Sequence, residues 1–153
     1  MLTVVAAGPP LALVVRDVRR GRLADWHIVD RASRIRPLLL TGCCFLGAWA
    51  VHLVGAGPSV LGTVVAALTL AVVVGVAVTR FWKISVHTTV CALAVTALAF
   101  DVGIGLLGLA PVVALVAWSR VRLNSHTVAQ TLAGAAVGTL ASAVAFLASA
   151  RPV

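Results

Sequence analysis

The last long apolar stretch of this sequence is opened by an arginine, a histidine and a glutamine, at Arg120, His126 and Gln130. A guanidinium is a fork-shaped partner for anionic oxygens. A neutral imidazole can accept a proton or attack as a nucleophile, and a carboxamide oxygen can accept a hydrogen bond from such a ring. All three stand where an apolar helix would leave a bilayer, a place where polar groups are usually functional. A second group, Lys83, Ser85 and His87, opens an earlier apolar run, and a third, Asp30, Arg31, Arg34 and Arg36, precedes Pro37. Cations beside helix amino termini, whose free N–H groups attract anions, point to an anionic ligand.

The elements that must position these groups follow from composition. A chain of 153 residues that is 61% hydrophobic and 10% charged, with a mean hydropathy of +1.12, lacks the polar surface of a soluble domain. The expected architecture is all-α: an integral membrane protein folded as a compact bundle of about six transmembrane helices, since each crossing takes roughly 20 apolar residues. The pieces are Leu2 to Val15, kinked by Pro9-Pro10, then Pro37 to Val54, Ser59 to Thr79, Ile84 to Phe100, Ile104 to Trp118 and His126 to Ser149. No long soluble loop or tandem repeat divides them, so residues 1–153 read as one domain. The amino terminus has no basic n-region or cleavage site and is expected to be retained.

If the last helix starts near His126, then Gln130, Gly134, Gly138 and Ser142 lie on its same face. The G-x-x-x-G at Gly134 and Gly138 reads as close packing within the molecule, and a homo-oligomer is allowed by it but not implied. Lys83 and His87 share a helix face if the helix begins early enough. Cys43, Cys44 and Cys91 lie in apolar runs without disulfide or zinc spacing and read as packing residues. His52, alone in its span, is expected to bond a neighbouring helix or to sit near the opposite interface.

Twelve basic residues oppose four acidic ones, with no glutamate. The basic residues fall between apolar runs and not on a soluble face, which argues against nucleic acid and for anionic lipid head groups as partners. Arg16 to Arg36 carries seven arginines against three aspartates and is expected to be a polar connection. With alternating spans, connections 16–36, 80–83 and 119–125 share one side. The positive-inside rule turns that side to the cytoplasm, and the expected location is the cell membrane.

Ser119-Arg120 and His126 resemble the third motif, S-R-x5-H-x3-D, of the type 2 phosphatidic-acid phosphatase superfamily, and Lys83-Ile84-Ser85-Val86-His87 resembles its second, P-S-G-H. A degenerate first motif, K-x6-R-P, ends at Arg36-Pro37. The sequence departs from the pattern with Val29 at the lysine position, Ile84 and Val86 for the proline and glycine, and Gln130 for the aspartate. The resemblance spans residues 30 to 130.

It implies a membrane enzyme that removes phosphate from a lipid phosphate or diphosphate, polyprenyl or phosphatidyl, through a phosphohistidine. His126 would attack phosphorus, and Gln130 would accept from the other ring nitrogen without supplying the aspartate's charge. His87 would protonate the leaving oxygen, while Lys83, Ser85 and Arg120, with Arg31, Arg34 or Arg36, would hold phosphate oxygens. No acidic cluster is present to hold magnesium, so no metal or other cofactor is expected. Two other readings fit the departures: a catalytically impaired relative that binds lipid phosphate or serves as a partner subunit, and a terpenoid-type enzyme that ionises a diphosphate.

Overall fold

A computed structural model describes Arg16 and residues 31–55 and 59–149, with the main chain alone for 31–38. These residues are helical, without a strand among them: α1 (Arg31–Gly55), α2 (Val60–Thr79), α3 (Val86–Asp101), a 3₁₀ segment (Ile104–Leu109), α4 (Ala110–Arg122) and α5 (Val128–Ser149). Where about six membrane helices were expected, the described residues form five α-helices. The piece expected over Leu2 to Val15 lies outside them. By length and composition three helical stretches can cross a membrane, Val60–Thr79, Ile104–Arg122 and Val128–Ser149, while Leu39–Gly55 and Val86–Asp101 are shorter apolar helices.

Local chemistry sets the helix ends, and several differ from expectation. α1 begins at Arg31, not at Pro37. A proline in the second turn forfeits one main-chain hydrogen bond without ending the helix, so Arg31, Arg34 and Arg36 ride on a helix and not on a connection. α3 starts at Val86 behind the N-cap Ser85, which leaves Lys83 ahead of the helix and off any face shared with His87. The fifth span, expected over Ile104 to Trp118, is a continuous helical stretch to Arg122 whose first six residues are 3₁₀. Gly103, at φ 151°, turns the chain after α3 in a conformation that L side chains rarely adopt, and α4 begins with Pro111 in its first turn, where a missing N–H costs least.

Small and hydroxylated residues make up much of the interior, with Leu93, Val65, Ile84 and Val95 among them, while many of the other large aliphatic residues face outward. On α5, Thr131, Gly134, Gly138 and Ser142 are buried while Leu132, Leu140 and Leu147 are exposed. α3 and α5 make the most extensive contact, α2 packs on α5, and among the described helices α1 touches α2 alone. A Cβ on Gly138 would strike the Thr89 carbonyl and come within 2.9 Å of Leu93 N, and one on Gly134 would lie 2.5 Å from the Ser85 carbonyl. The two backbones meet where side chains are missing, as small-x3-small stripes allow in lipid. The G-x-x-x-G therefore does its packing inside the chain.

Antiparallel pairing of α1 and α2 brings the expected basic groups towards one end. His52 lies over Gly62 and Gly42 faces Val72, a register that carries the start of α1 towards Arg80. His52 is buried, with Nε2 3.2 Å from the Oγ of Ser59, the N-cap of α2. It thus bonds a neighbouring helix, at the end of the bundle opposite to Ser85 and Gln130.

Candidate functional site

α4 is closed by a turn whose form dictates where His126 lies. The N–H of Asn124 donates to the Val121 carbonyl (2.9 Å) and that of Ser125 to the Arg120 carbonyl (3.1 Å). With Asn124 at φ 51°, this is the Schellman arrangement, in which asparagine is among the few side chains that tolerate the left-handed position. The His126 N–H reaches the same Arg120 carbonyl at 3.3 Å. A six-residue separation in sequence thereby becomes a main-chain contact between Arg120 and His126.

α5 opens with a capping box. Thr127 Oγ1 accepts the Gln130 N–H at 3.3 Å, and Gln130 Oε1 accepts the Thr127 N–H at 3.1 Å, so two of the helix's orphan donors are satisfied reciprocally. The same Oε1 lies 3.3 Å from Nδ1 of His126. The histidine, expected as the first helical residue, instead precedes the helix and is buried in the turn.

The start of α3 meets the start of α5 through a main-chain bond, from the Ser85 N–H to the Gln130 carbonyl at 3.2 Å. Ser85 is fully buried. Its Oγ accepts the Thr88 N–H at 3.5 Å, and its carbonyl accepts the hydroxyls of Thr88 and Thr89. The side chain expected to touch phosphate thus caps its own helix. His87 is exposed on the first turn of α3, and Lys83 is half-buried in the preceding connection.

Arg120 is half-buried in the last turn of α4, where its Nε donates to Ser119 Oγ at 3.4 Å. Beside it, the Arg122 guanidinium stands 5.8 Å from the centroid of the Trp118 ring, within cation–π range. Arg31, Arg34 and Arg36 lie on the first turns of α1, and their side chains are outside the described residues, as are Asp30, His27 and Trp26.

The geometry gathers Lys83, Ser85, His87, Arg120, His126 and Gln130 at the end of the bundle where α3 and α5 begin and α4 finishes. Cations near two converging helix amino termini give that end a positive field suited to an anion. Thr127 and Asn124, which the motifs do not include, hold it in shape. Each had a signal: T-x-x-Q before an apolar run is a capping box, and an asparagine after basic residues at a helix end is a left-handed cap.

No known family, curated protein or solved structure matches the chain.

Proposed function

We propose that the chain is an integral membrane phosphatase of lipid-linked phosphates, working through a phosphohistidine in the manner of the type 2 phosphatidic-acid phosphatases that its motifs resemble. Described residues that are all helical, with three helices of membrane-crossing length among them and an exterior of leucine and valine, support the membrane setting. The observation that carries the catalytic reading is the Ser85–Gln130 main-chain bond. It draws together two motifs that are remote in sequence, and with them His87 and His126.

On this reading a ring nitrogen of neutral His126 attacks the phosphorus of a lipid phosphate monoester or diphosphate. The N–P bond forms as the P–O bond to the lipid breaks, and His87 gives its proton to the departing oxygen. Water then attacks the phosphohistidine, passing a proton to His87 and releasing inorganic phosphate and free His126. Arg120 and Lys83, joined by an arginine from the start of α1, balance charge on the non-bridging oxygens. The route needs no metal. Basic connections gathered at one end of the bundle favour a cytoplasmic orientation of the site.

The test is phosphate release from a short-chain lipid phosphate in detergent with chelator present, followed by trapping of ³²P on the protein. Release that persists unchanged in His126→Ala rules out the mechanism. A second reading is favoured by the uncharged Gln130 and the capping role of Ser85: a lipid-phosphate-binding protein or partner subunit without turnover. It predicts tight binding of the lipid phosphate with no phosphate released. Identifying the organic product separates hydrolysis from ionisation of a diphosphate.

A further inference from the structure

We propose that Thr127 is a positioning residue for His126, acting through Gln130. The inference rests on the reading of His126 as the attacking imidazole. Gln130 Oε1 accepts the main-chain N–H of Thr127, and only the oxygen end of a carboxamide can accept. The rotation of the amide is therefore decided by Thr127 and not by the ring. The Thr127 hydroxyl supplies the other half of the clasp by accepting the Gln130 N–H. From the opposite side, the Gln130 carbonyl is held by the Ser85 N–H.

The consequence reaches the imidazole. Oε1 faces Nδ1 of His126 at 3.3 Å and has no proton to give, so Nδ1 carries the proton and Nε2 keeps the lone pair. A carboxylate in this place would select the same tautomer whichever way it turned, because both of its oxygens accept. An amide has two unlike ends. Turned by half a rotation it would offer NH₂ to the ring, move the proton to Nε2 and leave that nitrogen unable to attack. A glutamine here needs a device that fixes its rotation, and the capping box is that device.

The measurement is ring ¹⁵N NMR of the histidine-labelled full chain in detergent micelles, at a pH where the ring is neutral, with His126 assigned from the His126→Ala spectrum. Wild type shows the Nδ1–H form at His126. Thr127→Pro, which removes the N–H that holds Oε1, makes Nε2–H the major form, and adding Gln130→Glu, whose two oxygens both accept, restores Nδ1–H. Should Thr127→Pro not fold, Thr127→Gly, which keeps the N–H with a residue that helix amino termini tolerate, is expected to keep the Nδ1–H form. An Nε2–H ring in wild type or in Thr127→Gly, or an unaltered ring in folded Thr127→Pro, overturns the proposal.

Where wild type releases phosphate, Thr127→Pro loses about tenfold in kcat with KM within about twofold, since a mis-protonated ring binds but does not attack. Adding Gln130→Glu recovers the rate. A protein that releases no phosphate yet shows the expected tautomers would sink the phosphatase reading and leave the role of Thr127 standing.

Discussion

The N–H of Ser85 donates to the carbonyl oxygen of Gln130 at 3.2 Å, and this bond exists only because Gly134 has no side chain. A Cβ there would sit 2.5 Å from the Ser85 carbonyl and 2.6 Å from Thr88 Oγ1. The helix carrying His87 and the helix that follows His126 thus touch backbone to backbone. Small residues one and two turns further along α5 set the position of groups at its mouth.

That contact makes Gly138 the most demanding position on α5. Gly138→Ala places a methyl against the Thr89 carbonyl and Leu93 N, main-chain atoms that cannot rotate away, and is expected to cost about 1–3 kcal/mol. Gly47→Ala is the control: its Cβ meets nothing within 4 Å, and helix propensity should add about 0.5–1 kcal/mol. Unfolding of both variants in detergent checks the pair. Shifts of the same sign would contradict the packing described.

Asn124 holds the left-handed position that ends α4. Asn124→Gly should leave stability nearly unchanged, whereas Asn124→Val should cost about 1–2 kcal/mol, the penalty of a side chain in that conformation. The turn also delivers the His126 N–H to the Arg120 carbonyl, so the valine variant is expected to lose phosphate release beyond its loss of folded protein. Equal activity per folded molecule in the two variants would detach the turn from the site.

At the opposite end of the bundle, the His52 ring occupies the place where a Gly62 side chain would be. Gly62→Ala should destabilise the protein, and much less so when His52→Ala is present. A coupling of about 0.5–3 kcal/mol is the range for residues in direct contact. Additive effects in the double-mutant cycle would show that α1 and α2 do not meet there.

Ser142 Oγ is fully buried and has no hydrogen-bond partner among the described residues. Removing an unsatisfied polar atom relieves a desolvation penalty, so Ser142→Ala is expected to stabilise by about 1 kcal/mol in the same unfolding assay. A loss of stability would reveal a partner for the hydroxyl.

Much of the candidate site was legible because it depends on spacing along one chain segment. Gln130, Gly134, Gly138 and Ser142 fall on one face by helical period alone, and the last three are buried against neighbouring helices. The motif residues at 83–87 and 119–130 were expected at one end of the bundle, and the Ser85–Gln130 bond joins them there. Pro37 predicts a helix start that the structure does not show, because a proline in the second turn leaves the helix from Arg31 intact. The motif resemblance implies a phosphate contact for Ser85, and in the structure its oxygen accepts the Thr88 N–H of its own helix.

The sequence by itself determined the class of molecule: apolar runs of helix length, cations between them, and hydroxyls and imidazoles at their ends. These are properties of composition and period, which act locally and survive without knowing which helices touch. Only the tertiary structure decided that α3 is the neighbour of α5 and that Ser85 is sealed in where they meet. Both outcomes depend on two backbones coming close enough to exclude a methyl group, and a linear chain does not state which small residues will face each other.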